Sequence, residues 1–257
     1  MILKLMIMGH FIADFYAQTN RTAKEKKSSP GILLRHCNYY TVILFLSAVL
    51  PLTKDEIFSF AICVLIISIL HGMIDFLKIR YEKGRNISPG RSIYLFILDQ
   101  FLHIGIITAM CLLFHITGGE YVTILMQDFE LEAYQNIIAM VIGILICGRP
   151  ASILIQRVFA LIIKPECDKR PGAEQTIIKI ENPKVGSYIG VLEREIIFFL
   201  GVMGQFGAIG FILTAKSVAR YKQLEDQKFA EKYLVGTLLS AVIAIACIGV
   251  YNYLKIR

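Results

Sequence analysis

The feature that most narrows what this chain can fold into is a succession of long apolar runs separated by short basic segments. FAICVLIISIL over residues 60–70, for example, is followed closely by Lys78, Arg80, Lys83 and Arg85. About 20 mainly apolar residues is the length at which an α-helix crosses the hydrocarbon core of a bilayer. With 56% of its 257 residues apolar and a mean hydropathy of +0.61, the chain is too greasy for a soluble domain with a polar exterior. The expected fold class is all-α, a polytopic transmembrane helical bundle of about seven helices.

Four short polar motifs interrupt the apolar sequence: HFIAD at 10–14, RHCN at 35–38, HGMID at 71–75 and DQFLH at 99–103. Three of them are His/Asp pairs four residues apart, a spacing that stacks both side chains on one helical face. Helices are expected over residues 2–18, 32–51, 57–81, 92–117, 133–147, 188–215 and 229–253. An amphipathic or partly inserted helix is expected over 151–164 and a small hairpin over 176–186.

Charge then orients these elements. The segments 20–35 and 78–91 are rich in Lys and Arg and are expected on the cytoplasmic side, with the N-terminus outside. That arrangement gathers His10, Asp14, His36, His71, Asp75, Asp99 and His103 into one layer near the cytoplasmic face. Residues 1–118 form a four-helix transmembrane bundle carrying this layer. Residues 119–257 form a C-terminal transmembrane region with the amphipathic helix and a short cytoplasmic loop. If every helix spans once, the basic stretch 216–232 falls outside, against the charge rule. Either the 151–164 segment inserts as an extra span, or the sixth helix re-enters at its glycine-rich middle, GQFGAIG, which is the preferred resolution.

The net charge of +7 lies in loops between apolar runs, so it reads as topology and excludes a nucleic-acid footprint. Six cysteines show no CxxC or finger spacing and imply no disulfide framework. The N-terminal run lacks a preceding basic region and a small-residue cleavage site, so helix 1 is expected to be retained. No P-loop or GxSxG motif is present.

GHFIADFYAQT, LHGMIDFLK and LDQFLH in the first half are joined by IGVLERE, GQFGAIGF, AKSVARYK and FAEKYLVGTLLS in the second. On these segments the chain resembles, over nearly its whole length, a bacterial family of integral membrane proteins, domain of unknown function 3307. The resemblance implies a multi-pass protein of the bacterial inner (cytoplasmic) membrane, without an established reaction. The HxxxD motifs are also similar to those of membrane-bound metal-dependent hydrolases, a likeness confined to short motifs.

An Asp at the centre of a membrane helix costs about 2.5–3.5 kcal/mol on insertion scales, so three carboxylates and four imidazoles in one layer must satisfy one another. A divalent cation does this well, because carboxylates and neutral imidazoles are its ligands and its charge offsets theirs. Mixed N/O ligands without thiolate point to Zn, Mn or Fe. The expected metal ligands are His10, Asp14, His71, Asp75, Asp99 and His103, with Asp14, Asp75 and Asp99 also catalytic. His36, Gln18 and Gln100 orient ligands or water, and Arg35, Arg149 and Arg194 are candidates to hold a substrate phosphate.

A bound ion would lower the pKa of water from 15.7 toward about 7, and a site at headgroup depth suits a phosphoester or amide bond of a lipid. The leading expectation is therefore a metal-dependent hydrolase acting on a lipid or membrane-associated substrate. Two other readings use the same residues: an ion or proton-coupled transporter with the layer as relay, and a structural or regulatory protein with a polar packing clasp. Membrane lipids are the expected partners, with a homo-oligomer or another membrane protein as further candidates and nucleic acid excluded.

Overall fold

The computed structural model describes residues 1–19, 22, 25, 26, 29–116, 131–162 and 183–256, and every regular element among them is helical. The protein is an all-α polytopic membrane protein. Four of its described segments are long and apolar enough to cross a bilayer: Lys54–Glu82, Pro89–Leu113, Glu132–Ile162 and Gln227–Lys255. The chain divides into two compact units, Met1–Ile146 with Tyr251–Arg257, and Cys147–Val250.

The first unit opens with α1 (Ile2–Phe11), which runs directly into a π-helical turn, Ile12–Tyr16. The helix expected over 2–18 is thus α-helical only to Phe11. Ala17 N–H reaches back five residues to the Ile12 carbonyl at 2.8 Å, a wide turn that re-aims the side chains within it. Then follow α2 (Pro30–Ala48), α3 (Lys54–Glu82), α4 (Pro89–Leu113) and α5 (Leu131–Cys147).

Local sequence sets where these helices start. Pro30 and Pro89 occupy first-turn positions whose N–H has no helical partner. Thr53 and Glu56 form a reciprocal capping box at the head of α3. Helix α1 packs on α2 and α4, α2 on α3, and α3 on α4, closing a four-helix ring. Its outer surface is apolar, with Phe58, Ile69, Phe101 and Leu113 exposed, while His71, Asp75, Asp99 and His103 are buried inside. That polarity is the reverse of a water-soluble domain and fits a lipid-facing exterior.

The second unit contains α6 (Arg149–Ile162), α7 (Pro183–Val202), α8 (Phe206–Ala219), a 3₁₀ turn at Tyr221–Glu225 and α9 (Gln227–Ile256) as far as Val250. The single helix expected over 188–215 is two helices. Gly204 has φ +73°, and the Gly204 and Gln205 N–H groups return to the Gly201 and Leu200 carbonyls at 3.0 and 2.8 Å, closing a Schellman motif. The chain then folds back, and Lys216 of α8 reaches Glu193 of α7 at 2.6 Å. Ile197 and Ile209 pack with Ala241 and Ala244 of α9 in the core of this hairpin. Of the small hairpin expected over 176–186, residues 176–182 lie outside the described residues, and from Pro183 the chain is helix α7.

Helices α1 and α2 approach closely at Gly9, where an added Cβ would run into the Ser47 side chain. Gly9→Val is therefore expected to lower stability by about 1–3 kcal/mol through overpacking. Gly105→Ala in α4, where the added Cβ meets nothing within 4 Å, is expected to be neutral or stabilising. Thermal unfolding of the detergent-purified pair checks both, and equal behaviour would contradict the close α1–α2 contact.

Candidate metal centre

Each polar motif delivers its side chains to the interior of the four-helix ring. His71 and Asp75 lie one turn apart on the buried face of α3, and Asp99 and His103 hold the same relation on α4. His36 and Tyr40 occupy one face of α2 in the same way. His10 ends α1, but Asp14 belongs to the π turn, so this third pair does not keep ordinary α-helical stacking. All four histidines are almost completely buried, as are Asp75 and Asp99.

Asp75 is the centre of one half of the layer. Its Oδ2 lies 2.7 Å from Lys26 Nζ, 3.7 Å from His36 Nε2 and 3.8 Å from His71 Nε2. The two ring nitrogens of His36 and His71 face each other at 3.2 Å, and His36 Nε2 is also 3.5 Å from Asp14 Oδ1. In the other half, His10 Nε2 lies 3.2 Å from Gln100 Oε1, while the Gln100 amide donates to Asp14 at 3.4 Å and Asp99 at 3.2 Å. Asp99 also pairs with Lys78 at 2.7 Å. Tyr40 lies flat against His71, ring centroids 3.8 Å apart, and its hydroxyl is 3.2 Å from His10 Nδ1.

The arrangement offers three overlapping ligand sets whose atoms lie within 4.8 Å of one another: His10/Asp14/His103, Asp14/His36/His71 and His71/Asp75/His103. Several atoms in and beside them are orphaned. Both ring nitrogens of His103, His71 Nδ1 and Asp99 Oδ1 are buried without a hydrogen-bond partner among the described residues. A buried polar group left unsatisfied costs about 1–3 kcal/mol, so such a cluster favours any ligand that completes it. Two nitrogens bound tetrahedrally to one ion at about 2.0–2.1 Å would stand roughly 3.3–3.4 Å apart, close to the His36–His71 separation of 3.2 Å.

Charge points the same way. Lys26 and Lys78 pair with Asp75 and Asp99 at 2.7 Å each, whereas the contacts of Asp14 among the described residues are the His36 ring at 3.5 Å and the Gln100 amide at 3.4 Å. Burial pulls the Lys26 ammonium toward neutrality, but Asp75 and then Asp14 outweigh it, so its pKa lies above the ordinary lysine value. Lys26 therefore stays protonated at neutral pH.

Of the residues singled out from sequence, His10, Asp14, His71, Asp75 and His103 are brought together as candidate ligands. His36, expected to orient a ligand, stands among the ligand atoms itself. Asp99 lies outside the three sets, held by Lys78 and Gln100. Gln100 bridges His10, Asp14 and Asp99 as an orienting group. Gln18, with its amide turned to satisfy both neighbours, donates to the Asp14 carbonyl at 3.1 Å and accepts from Lys26 at 3.3 Å. Arg35 is exposed on α2, and Arg149 and Arg194 belong to the second unit.

Tyr40, Lys26 and Lys78 are additional. Tyr40 follows His36 by four residues and Lys78 follows His71 by seven, so both share a helical face with a histidine. Lys26 comes from the α1–α2 connection and carries no periodic signal.

Residues 2–131, just over half of the chain, match the family described as "Protein of unknown function (DUF3307)". Neither the curated proteins nor the solved structures contain a match.

Lys26→Met should strand the Asp75 carboxylate inside the bundle and cost about 2–4 kcal/mol, somewhat under a fully buried pair because the lysine is partly exposed. Asp75→Asn in the same chain should restore most of that loss. A double-mutant cycle read by thermal unfolding in detergent with chelator checks this, and additive losses would deny the coupling.

Proposed function

We propose, from the premise that this chain belongs to the DUF3307 family of proteins of unknown function, that its His/Asp layer holds a divalent metal ion and works as a membrane-embedded, metal-dependent hydrolase. The observation that carries the reading is the pair of ligand sets that share His103, whose two buried ring nitrogens lack a partner among the described residues. Imidazole and carboxylate ligands with no thiolate suit Zn, Mn or Fe. His10, Asp14, His36, His71, Asp75 and His103 would hold the metal, and Asp14, His71 and His103 each belong to two of the three ligand sets.

The remaining groups have defined work. Tyr40 at Nδ1 and Gln100 at Nε2 orient the His10 ring, and an ion held by His10 would take the place of one of these two partners. Tyr40 also holds the plane of the His71 ring by stacking. Lys78 and Gln100 both hold Asp99 through Oδ2, which leaves Oδ1, without a partner among the described residues, to accept a hydrogen bond from water. A bound ion supplies a water whose pKa falls toward about 7. Lys26 neutralises Asp75 through the same oxygen that faces His36 and His71, so lysine and ion compete for it.

The substrate is a phosphoester or amide of a lipid or membrane-associated molecule, because the centre lies within a bundle whose outer face is apolar. The basic 20–35 and 78–91 segments support a layer near the cytoplasmic face, and the membrane in this reading is the bacterial inner one.

Elemental mass spectrometry of the detergent-purified protein tests this first. One or two ions per chain are expected in the wild type and none in His71→Ala/Asp75→Ala, with lipid phosphoester and amide cleavage following the metal. A folded wild type that takes up no Zn, Mn or Fe after incubation would overturn the reading. Removing the competing ammonium should tighten metal binding, so Lys26→Met is expected to retain its ion at a chelator concentration that strips the wild type.

A further inference from the structure

The second unit contains its own cavity of about 320 Å³ between α6, α7, α8 and α9. That volume is at the lower end of the roughly 300–1,000 Å³ common for small-molecule sites. Among the described residues, Arg194, Lys216, Arg220 and Lys232 are the cationic side chains that line it and Glu193 the carboxylate. Lys216 answers Glu193 at 2.6 Å. With Arg220 left out of the balance, Arg194 and Lys232 still give the described lining a positive excess.

Arg194 is the decisive residue. It is 98% buried by surface (2% exposed), yet its hydrogen bonds go to neutral acceptors: the carbonyls of Cys147 at 2.6 Å and Gly148 at 3.3 Å, and the hydroxyls of Ser152 at 2.7 Å and Ser240 at 3.5 Å. The Ser240 contact, from Nη1, is the longest of the four. Gly190 stands beside that nitrogen, where an added Cβ would make ordinary van der Waals contact with it at 3.4 Å. A guanidinium fixed by four neutral acceptors, with one nitrogen loosely held and three further cations lining the same cavity, is pre-organised for an oxyanion.

We propose that this cavity is an anion site that binds a phosphate group, with Arg194 at its base and Lys216, Arg220 and Lys232 around it. Ile155, Phe159 and Ile189 give the same cavity apolar walls, so the phosphate is either free or carried as a lipid headgroup. The site lies wholly in the second unit and does not depend on the metal reading of the first.

The test uses full-length, chelator-treated protein in neutral detergent, so that no metal can recruit phosphate. Inorganic phosphate and diphosphate form one arm, with chloride at matched ionic strength as control. Short-chain phosphatidylglycerol against phosphatidylcholine forms the other, and binding is followed by native mass spectrometry. Saturable, chloride-resistant binding in either arm is expected, and the arm that responds identifies the source. Lys216→Gln/Lys232→Gln, which leaves buried Arg194 in place, should weaken it about tenfold or more, and Arg194→Gln should abolish it. No saturable binding to folded wild type in either arm, or binding unchanged in the folded double variant, would overturn the proposal.

Discussion

The first unit depends on how three carboxylates are accommodated inside a helical bundle whose outside is apolar. Asp75 gathers the solution: one oxygen faces an ammonium from the α1–α2 connection, an imidazole from α2 and an imidazole from its own helix. Each partner comes from a different part of the chain, so satisfying the charge also fixes where those parts lie. Asp99 does the same with Lys78, tying α4 to α3, and Gln100 ties α4 to α1 through His10 and Asp14.

This gives polar contacts an unusual share of the specification. Between lipid-exposed helices the hydrophobic effect offers little preference, because tails and leucine side chains are similarly apolar. Close approach at Gly9 lets α1 and α2 pack, but packing alone does not select a register. Misplacing α3 by one residue would move His71 and Asp75 away from Lys26, His36 and Asp14. The π turn belongs to the same account. It departs from regular helix at Asp14, where the carboxylate meets His36 of α2 at 3.5 Å.

Fold class and layer were legible in the sequence because both rest on local pattern. Run length marks membrane helices, and a spacing of four marks His71 with Asp75 and Asp99 with His103 on buried faces. His36 lacked a paired acid in its own helix and so read as an accessory, whereas in space its acid partners are Asp14 and Asp75. Lys26 was hidden for a related reason: a lysine in a basic loop looks like a topological charge until its ammonium is seen against Asp75. The break in the 188–215 helix was signalled by its glycines. Which glycine takes positive φ depends on the Schellman bonds at Gly204 and Gln205, which composition alone does not specify.

A clasp evolved only to hold helices together would be expected to use up its polar atoms, because each one left buried and unpaired opposes the packing it serves. Gln100 meets that standard: its amide oxygen and nitrogen both have partners. His103, on the same helix and more deeply buried, leaves both ring nitrogens without one among the described residues. In the second unit the imbalance has the opposite sign, with a buried guanidinium held by neutral acceptors and more cations lining its cavity. The two units therefore make opposite demands: the unpartnered acceptors of the His/Asp layer suit a cation, and the cationic lining beside Arg194 suits an anion.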